Sequence, residues 1–454
     1  MTTTALADSN DLRLLPPNAT DASITQAITD PLLAERSWWR WWIAVAVTLP
    51  FVVVTIVALF ALLFVGVGLW GINTTNVWGY AIANYVWWIG IGNAGTLISS
   101  LLLLTRQPWR ASINRFAEAM TLFSVSIAGI FPIIHLGRPQ YFYWLAPYPN
   151  TMTLWPQWRS ALVWDFWAIL SYLLYSVIFW YVGLIPDAAT MRDRATSHRQ
   201  RLFFGALALG WRGSTHHWRV HRQLQITMAA LAVPLVCSVH SIVGLDFAAS
   251  LMPGWQEPLF PPYFVVGAMY SGFAMVVVLA ALIRWGLSLE DYVTLKHFDA
   301  MALIMLMASL IMWASYATEW FSAWYGGTHP ERSVIAFEFT GRYGVLYWFL
   351  LLFNCVLPQV FWFRAMRRSL LVVVLVSIGI NIGMWLERIL IIWNTLGDTH
   401  LPSMEHAFIP SLTDWTFLFA PLGLFAFLFL VFARLFPVIS IYEVRELAAE
   451  ERGA

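Results

Sequence analysis

Charge is scarce in this 454-residue sequence: 11% of residues are Asp, Glu, Lys or Arg, against about 25% in an ordinary soluble chain. With 59% hydrophobic residues, that excludes a water-soluble globular protein and puts the bulk of the chain in lipid. Cysteine is nearly absent. Cys237 and Cys355 fall in separate apolar segments, which disfavours a disulfide. They cannot supply the four thiolates usual for an iron–sulfur cluster. No hydrophilic stretch is long enough to form a redox-cofactor domain, so any such domain belongs to another chain. A basic leader is also lacking. Asp8, Asp11, Asp21 and Asp30 precede the first apolar run, so no cleavable signal is expected and the first span serves as its own insertion signal. The net charge of +1 hides a strong spatial asymmetry, and no nucleic-acid partner is expected.

The sequence is rich in long apolar runs. They predict an all-α integral membrane protein of about ten transmembrane helices, each near the roughly 20 residues needed to span. The runs are Trp42–Trp70, Tyr80–Leu104, Phe116–His135, Ala161–Ile185, Leu224–Leu245, Tyr263–Trp285, Phe298–Trp324, Gly344–Phe363, Ser369–Trp393 and Trp415–Phe436. An even number puts both termini on one side. Alternate segments on that side carry 21 Lys and Arg, the opposite loops carry Arg138, Arg159, Arg332 and Arg342, and Arg388 lies inside a helix. The positive-inside rule then places both termini in the cytoplasm. The 186–222 connection holds seven Arg with His198, His216, His217 and His221. It reads as an orientation signal touching anionic lipid heads, or as a docking surface. The first 35 residues are polar and are expected to be partly disordered or draped over a partner.

Directions then place the costly groups. His135 ends a helix at the outer face, Asp165 lies about a turn in from that face, and His240 and Asp246 end a helix there. Arg138 follows His135 closely. A lone histidine at a helix end can be merely interfacial, and Asp246 can act as a cap. A carboxylate inside lipid is expensive unless paired, protonated or wet, and intramembrane ionisable residues mark functional sites. His135, Asp165 and Asp246 together suit quinol oxidation, which releases two protons. Histidine has the right unperturbed pKa for the first, and a desolvated carboxylate can take or relay the second. Trp87, Trp88, Tyr141, Phe142, Tyr143, Trp144, Trp164 and Trp167 lie near the level where a ring and its tail would need an aromatic slot.

Other polar positions admit structural and functional readings. Gly90-Ile91-Gly92-Asn93-Ala94-Gly95 matches a dinucleotide fingerprint by letters only, since no strand precedes it. Small residues at this spacing bring helices close, and Asn93 can bond across them. Glu118 and His135 could mark two ends of a polar path about 26 Å long, although the residues between them on that stripe are largely apolar. Glu319, Glu387 and Arg388 form a second set, read either as buried structural pairing or as a proton path. Glu387 and Arg388 are neighbours in sequence, so Arg388 is expected to pair with another helix.

Several runs resemble those of the NrfD/polysulfide-reductase family of membrane subunits, in particular the C subunits of alternative complex III. They are Trp88-Ile89-Gly90-Ile91-Gly92, Ser112-Ile113-Asn114-Arg115-Phe116-Ala117-Glu118, Ile134-His135-Leu136-Gly137-Arg138-Pro139, Trp164-Asp165, Trp180-Tyr181-Val182-Gly183-Leu184-Ile185-Pro186-Asp187 and Asp246-Phe247. The resemblance implies two four-helix bundles with one helix added at each end. Residues 1–41 then form a cytoplasmic segment, 42–79 the first peripheral helix and loop, 80–245 the first bundle, 246–394 the second, and 395–454 the last helix and tail. It also implies a quinol site holding His135, Arg138, Asp165 and Asp246, most naturally for menaquinol, with no metal, haem or iron–sulfur cluster in this chain. Electrons would pass to an outer-face iron–sulfur subunit and on to multihaem cytochrome c subunits, beside a second NrfD-like membrane subunit. The implied activity is that of a quinol:acceptor oxidoreductase subunit releasing protons outside, with proton translocation open. Family members often carry His where this chain has Asn93, which cannot titrate.

Two alternatives compete. A proton-coupled secondary transporter would place its carboxylates near mid-bilayer on broken helices, whereas these cluster at one face. A haem protein needs facing histidines, for which His135 and His240 are the nearest candidates.

Overall fold

A computed structural model of the chain describes residues 13–33, 38–135, 137–146, 156–397 and 406–453. Among the described residues the fold is all-α, and ten helices are long and apolar enough to cross a membrane. Backbone polar groups in lipid must be satisfied within the helix, so each apolar run becomes one. After a short helix α1 (Asp21–Leu33) come the spans α2 (Trp39–Val65), α3 (Tyr80–Leu104) and α4 (Asn114–Ala128), the last continued by α5 (Phe131–Ile134). Then follow α6 (Ala161–Arg194), a short α7 (His198–Leu207), α8 (Thr215–Ala248), α9 (Phe260–Leu287) and α10 (Leu295–Tyr325). The chain ends with α11 (His329–Thr340), α12 (Gly344–Leu351) continued in π and 3-10 turns to Trp362, α13 (Leu370–Gly397), α14 (Leu412–Leu435) and α15 (Ile441–Gly453).

Three sequence expectations need correction. The third span is not one straight helix. It breaks at Gly129–Ile130 ahead of Pro132, which has no N–H to donate to the preceding turn. The Glu118–His135 stripe is therefore interrupted. The 186–222 connection is mostly helix: α6 and α8 each run 34 residues, about 51 Å, well beyond a hydrocarbon core of about 30 Å. The described part of the amino-terminal segment is not loose either. α1 packs on α15, with Arg452–Asp21 at 2.7 Å and Glu451 accepting from the Leu14 N–H at 2.7 Å.

α3 lies at the centre. Nearly all of it is buried, and it packs on α4, α8 and α9. Small residues permit this: a Cβ on Gly95 would collide with the Ala117 carbonyl oxygen of α4. α6 packs on α4 and α8, and α9 on α8, α10 and α13. α2 stands at the edge against α14, burying only Thr55 and Leu62. At the face bearing the termini, a buried ionic network docks α15. Arg115 meets Asp187 at 2.8 Å and Arg110 meets Glu443 at 2.5 Å. Asp187 also accepts from the Ile441 and Tyr442 N–H groups at 3.2 and 3.1 Å.

Candidate functional site

α3 and α6 begin, and α8 ends, at the face opposite the termini. Tyr85 is five residues into α3, Asp165 four residues into α6, and Asp246 two residues from the end of α8, so all share one depth. They meet. The Tyr85 hydroxyl donates to Asp165 Oδ2, and the Asp165 and Asp246 carboxyls are close neighbours. The second oxygens, Asp165 Oδ1 and Asp246 Oδ1, have no protein partner although both are buried. Unpaired acceptors in such a place are costly unless something binds there. Sequence reasoning missed Tyr85. Its depth in a helix starting at the same face as α6 was the available signal.

His135 caps the third span at the same face, half-buried. Among the described residues it bonds directly to neither carboxyl. Burial lowers its imidazole from 6.5 to about 4, so it is neutral at ordinary pH. Arg138 is exposed and lies beside the 3-10 turn of residues 139–145; the intervening Leu136 falls outside the described residues. That turn presents Phe142, Tyr143 and Trp144 as exposed rings, with Tyr141 and Trp144 4.7 Å apart. Trp158 stacks on Trp167 at 6.3 Å, and Trp164 is exposed nearby. Trp87 and Trp88 do not belong to this shelf. They are core residues: the Trp87 indole donates to the Asn381 carbonyl at 3.1 Å, and Trp88 packs on Phe425 at 5.4 Å.

His240 is not at the outer end of its helix. It lies eight residues before Ala248, about 12 Å deeper, fully buried and bonded to Asn93. Asn93 thus makes the interhelical bond, and the histidine pair a haem would need is not assembled by His135 and His240. From Asn93 a column of hydroxyls leads toward the terminal face. Tyr172 donates to the Gly92 carbonyl at 3.1 Å, Thr121 bonds the Gly92 carbonyl at 2.7 Å and the Thr96 N–H at 3.0 Å, and Thr96 meets Ser176 at 3.3 Å. Ser99 donates to Glu118 at 2.6 Å. The hydroxyls near Glu118 come from α3 and α6 together with Thr121 of its own span.

The second polar set also assembles. Arg388 pairs with its own neighbour Glu387 at 2.8 Å, contrary to the expectation of a partner on another helix. Long side chains on adjacent residues can fold toward each other when both are buried. Arg388 also lies over the Phe264 ring at 4.0 Å, in space that a Cβ on Gly267 would invade at 2.7 Å. Tyr316 donates to Glu387. Glu319, Glu387 and Glu338, the last unforeseen, line a small cavity with Tyr263, Tyr316 and Tyr347. Among the described residues no group of His, Cys, Asp and Glu is arranged to hold a metal ion.

The family model described as polysulphide reductase, NrfD, matches residues 68–396. The chain is 27% identical over 234 residues to a Halobacterium salinarum protein described as the membrane-bound C subunit of a dimethyl sulfoxide reductase. That match spans 49% of this chain and 49% of the relative, so the chain covers about half the length of that protein. It is 21% identical over 408 residues to the C subunit of the selenate reductase of Mesobacillus selenatarsenatis, covering 86% of this chain and 92% of that one. Both relatives are subunits of oxidoreductases. Because the family match runs from before α3 into the end of α13 and takes in Tyr85, Asp165, Asp246, His240 and Arg388, this chain belongs to the NrfD, polysulphide reductase family.

Proposed function

We propose that this chain is the quinol-binding and quinol-oxidising membrane subunit of an electron-transfer complex of the alternative complex III type. The observation that carries the reading is the Tyr85–Asp165–Asp246 contact, with two unpaired buried carboxyl oxygens at one membrane face. The names of the relatives, both subunits of reductases, support a redox role over a transporter. The aromatic shelf of Tyr141, Trp144, Trp158 and Trp167 suits a quinone ring, menaquinol by preference, with its tail in lipid. Oxidation of one quinol yields the quinone, two protons and two electrons. Neutral His135 is the base for one proton. The Asp165–Asp246 pair is the acceptor for the other, and Tyr85 fixes the orientation of Asp165. Arg138 is placed to meet a polar group of the substrate or partner. The electrons need an acceptor that this chain does not supply. An iron–sulfur subunit on the same face, then multihaem cytochromes c, would take them, with a second NrfD-like subunit alongside.

The same reading puts the site on the outer side of a bacterial inner membrane, with protons released there and the termini in the cytoplasm. The division into two four-helix bundles at residues 80–245 and 246–394 belongs to it as well. Glu118 with its hydroxyl column, and Glu319, Glu387 and Arg388, are its candidates for a proton path.

The test is Asp165→Asn in the assembled complex. Loss of the carboxylate should lower quinol:acceptor turnover by about a hundredfold or more, the range for a positioned acid–base group, while the complex still purifies intact. An assembled Asp165→Asn complex that turns over near the wild-type rate would sink the proposal.

A further inference from the structure

Apart from the redox site, the short helix α7 and the turn after it are built as an amphipathic pair of faces, both of them apolar. One face packs inward through Phe204 and Ala208, which are buried. The other carries Leu202, Phe203, Ala206 and Leu209, all exposed, Leu202 by 62% and Leu209 by 68%. Leu209 is held there by a backbone φ of 45°, a left-handed conformation that leucine rarely adopts. A helix apolar on both faces needs cover on both.

The level of α7 says what that cover is. Measured from Ala161, where α6 begins at one face, a hydrocarbon core of about 30 Å ends after about 20 residues, close to Trp180 and Tyr181, residue types that favour the membrane–water boundary. α7 is fastened at that level. The Tyr181 hydroxyl donates to the Leu207 carbonyl at 2.9 Å, and Phe203 and Trp180 both contact Phe436, at 6.1 and 5.4 Å. Arg199, Arg201 and Arg212 are exposed around the outer face. Arg201 donates only to the Ala195 carbonyl, at 3.2 Å, and among the described residues none of the three pairs with an acidic side chain. By contrast Arg192, Arg194 and Arg222 on the same protrusion meet Asp193, Asp30 and Glu446.

We propose that α7 lies in the bilayer interface and that Arg199, Arg201 and Arg212 hold the phosphate of an anionic phospholipid whose chains cover Leu202, Phe203 and Leu209. Guanidinium groups suit phosphate geometry, and an interfacial amphipathic helix combines apolar burial with attraction to anionic heads.

The experiment places a photoreactive benzoylphenylalanine at position 202 of the full chain, in nanodiscs of phosphatidylcholine with a minor share of phosphatidylglycerol, and identifies the crosslinked lipid by mass spectrometry. Three unpaired arginines should enrich phosphatidylglycerol over its bulk share by roughly tenfold or more. The R199Q/R201Q/R212Q variant should lose that enrichment, and the corresponding Lys variant, which keeps the charge, should retain most of it. Added glycerol phosphate should not compete. Crosslinks that mirror bulk composition, an absence of lipid crosslinks, or full competition by glycerol phosphate or inorganic phosphate would each overturn the proposal, the last by showing a soluble-anion site. If the Gln variant does not fold, the wild-type enrichment and the Lys variant still decide the matter.

Discussion

In the proposed site a tyrosine hydroxyl braces one of two buried carboxyls, and His135, at the same face, is the proposed base for the first proton. Burial lowers His135 from 6.5 to about 4. A base works only when unprotonated, so turnover should fall on the acid side as pH drops through about 4, not through 6.5. His135→Gln should remove that limb together with most activity, which a pH profile of steady-state quinol oxidation will read. An unchanged acid limb in a still-active variant would show that another group is the base. Glu338 gives a second pH signature, in stability. Burial raises its carboxyl from 4.5 to about 7, so folding favours the protonated form. Its contribution is complete below the unfolded value of 4.5 and is lost as pH rises through 7, by at most about 3 kcal/mol. The thermal midpoint should therefore drop between about pH 5 and about pH 8, and Glu338→Gln should flatten that drop. An equal pH dependence in the variant would assign it elsewhere. Asp165 was legible in the sequence because a carboxylate at that depth is anomalous by itself. Tyr85 and Glu338 were not, since a tyrosine near a helix end and a glutamate in a polar connection are ordinary until a partner is known.

Elements show where composition stops being informative. The apolar lengths of α2, α3, α9 and α14 predict their existence within a few residues. The polar overruns of α6 and α8 carry no hydropathy signal and read as loop, yet they are helix because tertiary contacts with α7 and α15 hold them. The anchor of α15 is the Arg115–Asp187 pair, with side chains 1% and 0% exposed. Asp187 also receives backbone N–H groups at the start of α15. Removing one partner of a buried pair leaves an uncompensated charge and costs about 3–5 kcal/mol. Asp187→Ala should therefore release α15, seen as faster limited proteolysis after residue 440 with the spans still protected. Cleavage at the wild-type rate would mean that Arg110–Glu443 and the α1 contacts suffice.

For the whole molecule the decisive question is which face the site occupies. On the proposed orientation the termini are cytoplasmic and Tyr85, Asp165 and Asp246 lie on the outer side. Cysteines introduced at Ile409 and Thr196, both exposed and on opposite faces, separate the cases. With Cys237 and Cys355 replaced, Ile409→Cys should react with an impermeant reagent applied outside whole cells, and Thr196→Cys should not. The reverse pattern would turn the site, and with it proton release, to the cytoplasm.

By itself the sequence determined the number of spans and the depth of Asp165 and Asp246, because spanning is a local matter of apolar length and rise per residue; His240, expected at the outer end, lies deeper. The sequence also placed His135, Asp165 and Asp246 at one face. Which groups touch was decided only by lateral packing. Small residues at Gly95 and Gly267 let α3 and Arg388 sit where larger ones would clash. The same packing brought Tyr85 to Asp165 and turned His240 toward Asn93. It also folded Arg388 back on Glu387. In lipid, helices gain little hydrophobic free energy from meeting one another, so side-chain shape and polar partners choose the neighbours. Those are properties of pairs of distant segments, which a reading along one chain does not contain.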